Sequence, residues 1–118
     1  MIWFSYYYLL SFLKAFFLTV LIEFLVFYLF ARKNVSKAFA VVLSVNSFSL
    51  PIVWFVIPLI VNSYPTYAFL AEVFAVVSEA TLLRILLRIS LKSAIALSAT
   101  MNMTSFLVGL IFPFLIAS

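Results

Sequence analysis

Between Lys37 and Glu72 the chain carries no charged residue, and none follows from Ser93 to Ser118. Apolar stretches of this length exceed the roughly 20 residues of helix that cross a bilayer, and in lipid the backbone must satisfy its own hydrogen bonds, as a helix does. The expected fold class is therefore all-α integral membrane. Composition agrees: 69% of the 118 residues are hydrophobic and 8% are charged, against about a quarter charged in an average soluble domain.

Polar and proline-bearing breaks divide the chain into four predicted transmembrane helices, approximately 11–31, 36–61, 67–89 and 92–116. The turns are Arg32-Lys33-Asn34-Val35, Asn62-Ser63-Tyr64-Pro65-Thr66 and Ile89-Ser90-Leu91. With a single glycine in the chain, none of them reads as a flexible linker, so one transmembrane domain over 1–118 is expected. Arg32, Lys33 and Lys37 flank the first turn and Arg84, Arg88 and Lys92 the third, leaving Lys14 alone on the other side. By the positive-inside rule both termini then face out. Trp3, Phe4 and Tyr6 to Tyr8 fit the outer headgroup layer or, equally well, extend the first helix. The N-terminus has no basic leader or small-residue cleavage site and does not read as a signal peptide.

The two halves align at a constant offset of 56: Glu23 with Glu79, Arg32 with Arg88, Ala38 and Ala40 with Ala94 and Ala96, Asn46 with Asn102, Ser49 with Ser105. Four of these six identities are polar, in a chain where Glu, Arg and Asn are scarce. The pattern predicts two tandem helical hairpins, repeat units 11–61 and 67–116, related by a pseudo-twofold axis along the membrane normal. Glu23 and Asn46 are equidistant from the first hairpin turn, as Glu79 and Asn102 are from the third turn, so each pair should lie level. Nine residues from Glu23 to Arg32 rise about 13.5 Å, close to half a hydrocarbon core, which puts all four polar groups near the midplane. Glu72 lies on the same face as Glu79, about 10 Å nearer the outside, and is level with Gly109. Its counterpart in the first repeat is Phe16. Pro51, Pro58 and Pro113 should free the carbonyls of Ser47, Trp54 and Gly109, and Ala94, Ser98, Asn102, Ser105 and Gly109 form a small, polar stripe on the last helix.

A carboxyl near the bilayer centre costs several kcal/mol, so the three glutamates point to function. Glu23, Glu79, Asn46 and Asn102, with Ser49, Ser105, Thr104 and Glu72, make an oxygen-only set suited to protons or hard cations. The expectation is a small membrane transport protein or channel that binds protons or small cations. The alternative is a non-catalytic accessory or assembly subunit of a larger membrane complex, in which the same groups only hold helices together and Arg84 pairs with Glu23 or Glu79 or reaches to phosphate. With no Cys, His or Asp, and no basic partner at reachable spacing for the serines near the midplane, an enzyme is not expected, and neither is a cofactor. The net charge of +4 sits at membrane boundaries, which argues against a nucleic-acid partner. The expected partners are the lipid bilayer and either further copies in a homo-oligomer or a larger membrane complex.

Overall fold

A computed structural model of the chain describes residues 6–31 and 34–117, the side chains of 31 and 112–117 excepted. Four helices make up nearly all of it: α1 (Tyr6–Ala31), α2 (Val35–Phe55), α3 (Tyr64–Leu87) and α4 (Leu91–Ala117), with a short 3-10 turn at Ile57–Leu59. The main contacts follow a ring in which α1 packs on α2, α2 on α3, α3 on α4 and α4 on α1. Among the described residues, three segments, Tyr6–Phe30, Val35–Leu59 and Leu91–Ile111, are long and apolar enough to cross a membrane. The fourth helix, α3, carries Glu72, Glu79 and Arg84 and is not among them.

An exposed surface rich in large apolar side chains surrounds an apolar core that holds several buried polar groups. Glu23, Asn46, Ser49, Glu79, Ser98 and Asn102 are buried, whereas Phe17, Leu21, Leu25, Leu29, Phe69 and Leu107 lie on the outside. In water such a surface would leave large apolar area unburied; against lipid tails it costs nothing. Around the buried polar groups pack Val20, Phe27, Val42, Val45, Ala80, Leu83, Ala94 and Met101.

Local chemistry moves the helix ends away from the predicted boundaries. α1 already includes Tyr6 to Tyr8, so these aromatics extend the helix, while Trp3 and Phe4 lie outside the described residues. α2 ends at Phe55 rather than 61, because Pro58 lacks an N–H and its ring opposes the carbonyl four residues back, and the chain tightens into a 3-10 turn. Pro51 stays inside α2, with Ser47 on the exposed side. α3 starts at Tyr64 because Pro65, disruptive deep in a helix, suits a first turn. It stops at Leu87, where Arg88 turns left-handed with φ 55° and ψ 40°. At the starts of α2 and α4, Asn34 accepts from the Lys37 amide and Ser90 Oγ from the Ser93 amide, both at 3.1 Å. These are N-caps, and they too are 56 residues apart. Arg32, Lys33 and the Pro113 side chain lie outside the described residues.

The freed carbonyls at the end of α2 are taken by tyrosines. Tyr8 donates to the Trp54 carbonyl at 2.6 Å and Tyr67 to the Val53 carbonyl at 2.9 Å. Phe12 packs edge-on against Phe55 and Trp54, completing an aromatic cluster at this end. Tyr8→Phe and Tyr67→Phe should each lower stability in detergent by about 1 kcal/mol, measured by thermal or denaturant unfolding, because a carbonyl loses its donor. Full wild-type stability in both variants would show that water replaces the hydroxyls without cost.

Candidate functional site

α1 and α3 face each other across the ring, and each sends one glutamate into its centre. Glu23 is 0% and Glu79 1% exposed. Their positions follow from helix phase, since Glu23 shares the inner face of α1 with Val20 and Phe27, and Glu79 that of α3 with Ala75 and Leu83. The two carboxyls come within hydrogen-bonding reach of each other.

Four neutral donors serve the four carboxyl oxygens. Asn46 Nδ2 donates to Glu23 Oε1 at 3.0 Å, and Asn102 Nδ2 to Glu79 Oε1 at 3.3 Å. Ser105 Oγ donates to Glu23 Oε2 at 3.0 Å, and Ser49 Oγ to Glu79 Oε2 at 2.8 Å. Each carboxyl thus takes an amide from its own hairpin and a hydroxyl from the other one. Each amide is fixed by a second bond one turn back, Asn46 to the Val42 carbonyl at 3.0 Å and Asn102 to the Ser98 carbonyl at 2.9 Å. Ser98 is a member of the set with no counterpart in the first repeat, where Val42 stands. Its hydroxyl donates to the Val76 carbonyl at 2.8 Å, tying α4 to α3. The residue type gives no signal for this role beyond its place in the small-residue stripe.

The structure brings together Glu23, Asn46, Ser49, Glu79, Asn102 and Ser105, and leaves other candidates apart. Thr104 bonds back to the Thr100 carbonyl at 2.7 Å on its own helix. Arg84 is exposed rather than paired with either buried glutamate. The stripe on α4 is buried at Ala94, Ser98 and Asn102 but opens at Gly109, where a Cβ would meet nothing within 4 Å. Glu72 is half-buried on α3, and its Oε2 is a buried atom without a hydrogen-bond partner. It lies near enough to Glu23 for their charges to interact. Asn46 Oδ1 is likewise buried and unpartnered.

Among the described residues, the side chains acting on the pair are amides, hydroxyls and the carboxyls themselves, with no cationic group among them. Two carboxylates that close, in a dry interior, repel with little screening. Such a pair can hold a proton between its members, or a cation bound in place of one. Hard cations call for six or more oxygen ligands, or keep several waters. Here the carboxyl oxygens already accept from amide and hydroxyl hydrogens, a coordination that suits a proton better. Among the described residues, no group of three or more His, Cys, Asp or Glu is placed to hold a metal ion. No known protein family, curated protein or solved structure matches the chain.

Proposed function

We propose that the chain is a small four-span membrane transport protein in which Glu23 and Glu79 form a proton-binding pair near the bilayer midplane. The observation that carries this is the meeting of two fully buried carboxyls whose partners are all neutral. Inside a bilayer a carboxyl pair with no counter-cation stays neutral by holding protons, or a small cation in place of one, and intramembrane acids of this kind mark proton relays. α3 serves as the fourth span, with Glu79 turned away from lipid and Glu72 half-buried. The termini lie outside and the turns near Arg32 and Ser90 inside, on the distribution of bases.

A duplicated hairpin is supported by hydrogen bonds that obey the offset of 56. Glu23–Asn46 corresponds to Glu79–Asn102, Asn46–Val42 to Asn102–Ser98, the Asn34 cap to the Ser90 cap, and Ser49–Glu79 to Ser105–Glu23 when the order is read cyclically.

The test is proton flux in proteoliposomes under an imposed pH gradient. Wild type should conduct, and Glu23→Gln and Glu79→Gln, which keep volume and hydrogen bonding but remove the ionisable group, should insert normally and lose flux. No flux in wild type under any gradient would contradict transport. One observation favours a second reading, an accessory subunit that uses the pair as packing: all four oxygens are saturated, by bonds that tie both hairpins together. In that case both glutamine variants behave as wild type, and the purified protein carries a stoichiometric partner.

A further inference from the structure

We infer that the carboxyl pair is reached from one side only, through Glu72, along the outer half of the bundle that ends at the Asn62–Ser63 turn. The inference rests on the proton-binding role of the pair and adds the route and its direction.

Glu72 and Glu79 are seven residues apart, two helical turns or about 10 Å along one face of α3. The buried residues of α3 between them are small, Ala71 and Ala75. On α4 the position level with Glu72 is Gly109, which is exposed, with no atom within 4 Å of where a Cβ would stand. Beyond the pair in the other direction the packing changes. Phe27 of α1 and Leu83 of α3, which correspond at the offset of 56, are 2% and 0% exposed, and Val42, Ala80 and Ala94 fill the same core. On α3 the steps outward from the pair are small, Ala75 and then Ala71, which packs against Val53 and Ile57, and they lead to a carboxyl; inward, Phe27 and Leu83 follow with no carboxyl beyond them among the described residues.

Two buried acceptors mark the outward route. A buried oxygen without a donor costs about 1–3 kcal/mol, a cost relieved when a proton or the water carrying it arrives. Asn46 Oδ1 is such an atom beside the pair, in a side chain with 0% exposure, and Glu72 Oε2 is another farther out. Glu72 is half-buried, so one carboxyl spans the interior and the surroundings. At the same end of the bundle Tyr8, Trp54, Pro58, Asn62, Tyr64 and Tyr67 line a cleft of about 480 Å³, a mouth for the route. The repeat also explains why access is not duplicated, because the position equivalent to Glu72 is Phe16. One hairpin has a polar step, and the other has a ring in its place.

The chain has no cysteine, so single cysteines can be read without background. In sealed vesicles, Ser63→Cys and Ser90→Cys mark the two sides for a membrane-impermeant methanethiosulfonate reagent. Glu72→Cys should be labelled from the Ser63 side and not from the Ser90 side. Ala75→Cys, a small change on the route, should share that sidedness and keeps the test open if Glu72→Cys fails to insert. Ala80→Cys, buried beside an intact Leu83, should resist labelling from the Ser90 side. Failure of both Glu72→Cys and Ala75→Cys to label from the Ser63 side, or labelling of Ala80→Cys from the Ser90 side, overturns the route. Flux separates the two ideas. A conducting wild type whose Glu72→Cys and Ala75→Cys stay unlabelled keeps the pair and loses the route, whereas labelling in the expected pattern without flux keeps the aqueous route and loses the proton-binding role.

Discussion

Glu79→Leu should weaken the bundle by about 2–4 kcal/mol, while Glu79→Gln should cost less than about 1 kcal/mol. The difference follows from what each substitution leaves behind. Leucine removes both acceptors, so the Ser49 hydroxyl, 0% exposed, loses its partner, and the Asn102 amide keeps only its bond to Ser98. The penalty of a stranded hydroxyl in a dry site adds to that of the half-satisfied amide. Glutamine keeps one acceptor for Asn102 and turns its own amide toward Ser49, whose hydroxyl can rotate to accept. Glu23→Leu and Glu23→Gln should repeat the contrast through Asn46 and Ser105. Unfolding in mixed micelles measures it; equal destabilisation by Leu and Gln would mean that the side chains around the pair reorganise freely.

Leu83→Ala should cost about 2–3 kcal/mol, near the lower end of the range for buried large-to-small changes. Leu83 is fully buried and packs in the layer beneath the pair. In lipid the transfer part of the usual penalty shrinks, because the deleted methyl groups meet an apolar environment whether or not the helices associate, and the cavity part remains. Phe27→Ala, at the corresponding position, should behave alike with a larger void. These two side chains also close the inward path, so either change should let a cysteine at Ala80 react from the Ser90 side, where in the otherwise unchanged chain it should not. A silent Leu83→Ala in both stability and accessibility would show that Leu83 does not close the inward path.

Much of the site could be read from spacing alone. Equal distances from a hairpin turn put Glu23 opposite Asn46 and Glu79 opposite Asn102, and both pairs are hydrogen-bonded. Antiparallel helices with a tight turn leave little freedom in that register, so the sequence contains it. The exchange of serines between hairpins is different. Ser49 and Ser105 appear as members of the polar set, but nothing in local spacing says that each crosses to the other hairpin's glutamate, because this depends on how far each helix is rotated about its axis and on which pairs adjoin in the ring. The Asn34 and Ser90 caps had a usable signal, a capping residue just before an apolar helix at the repeat offset. Tyr8 could be given a partner only in part. Pro58 identifies the Trp54 carbonyl as free, but that a tyrosine 46 residues away fills it is a tertiary fact. The proline near the start of α3 misleads in the ordinary way, since a residue that breaks a helix interior is favoured in a first turn.

If Glu23 and Glu79 exchange a proton, infrared spectroscopy of the carboxyl stretch reads it in the folded protein. Wild type should show a protonated-carboxyl band that changes with pH while the helical amide band stays constant, and the double variant Glu23→Gln, Glu79→Gln should lose that component. A band from the pair that stays unchanged at every pH the fold tolerates, or the absence of any protonated band belonging to it, would contradict proton exchange and leave the pair as packing or as the seat of a bound cation.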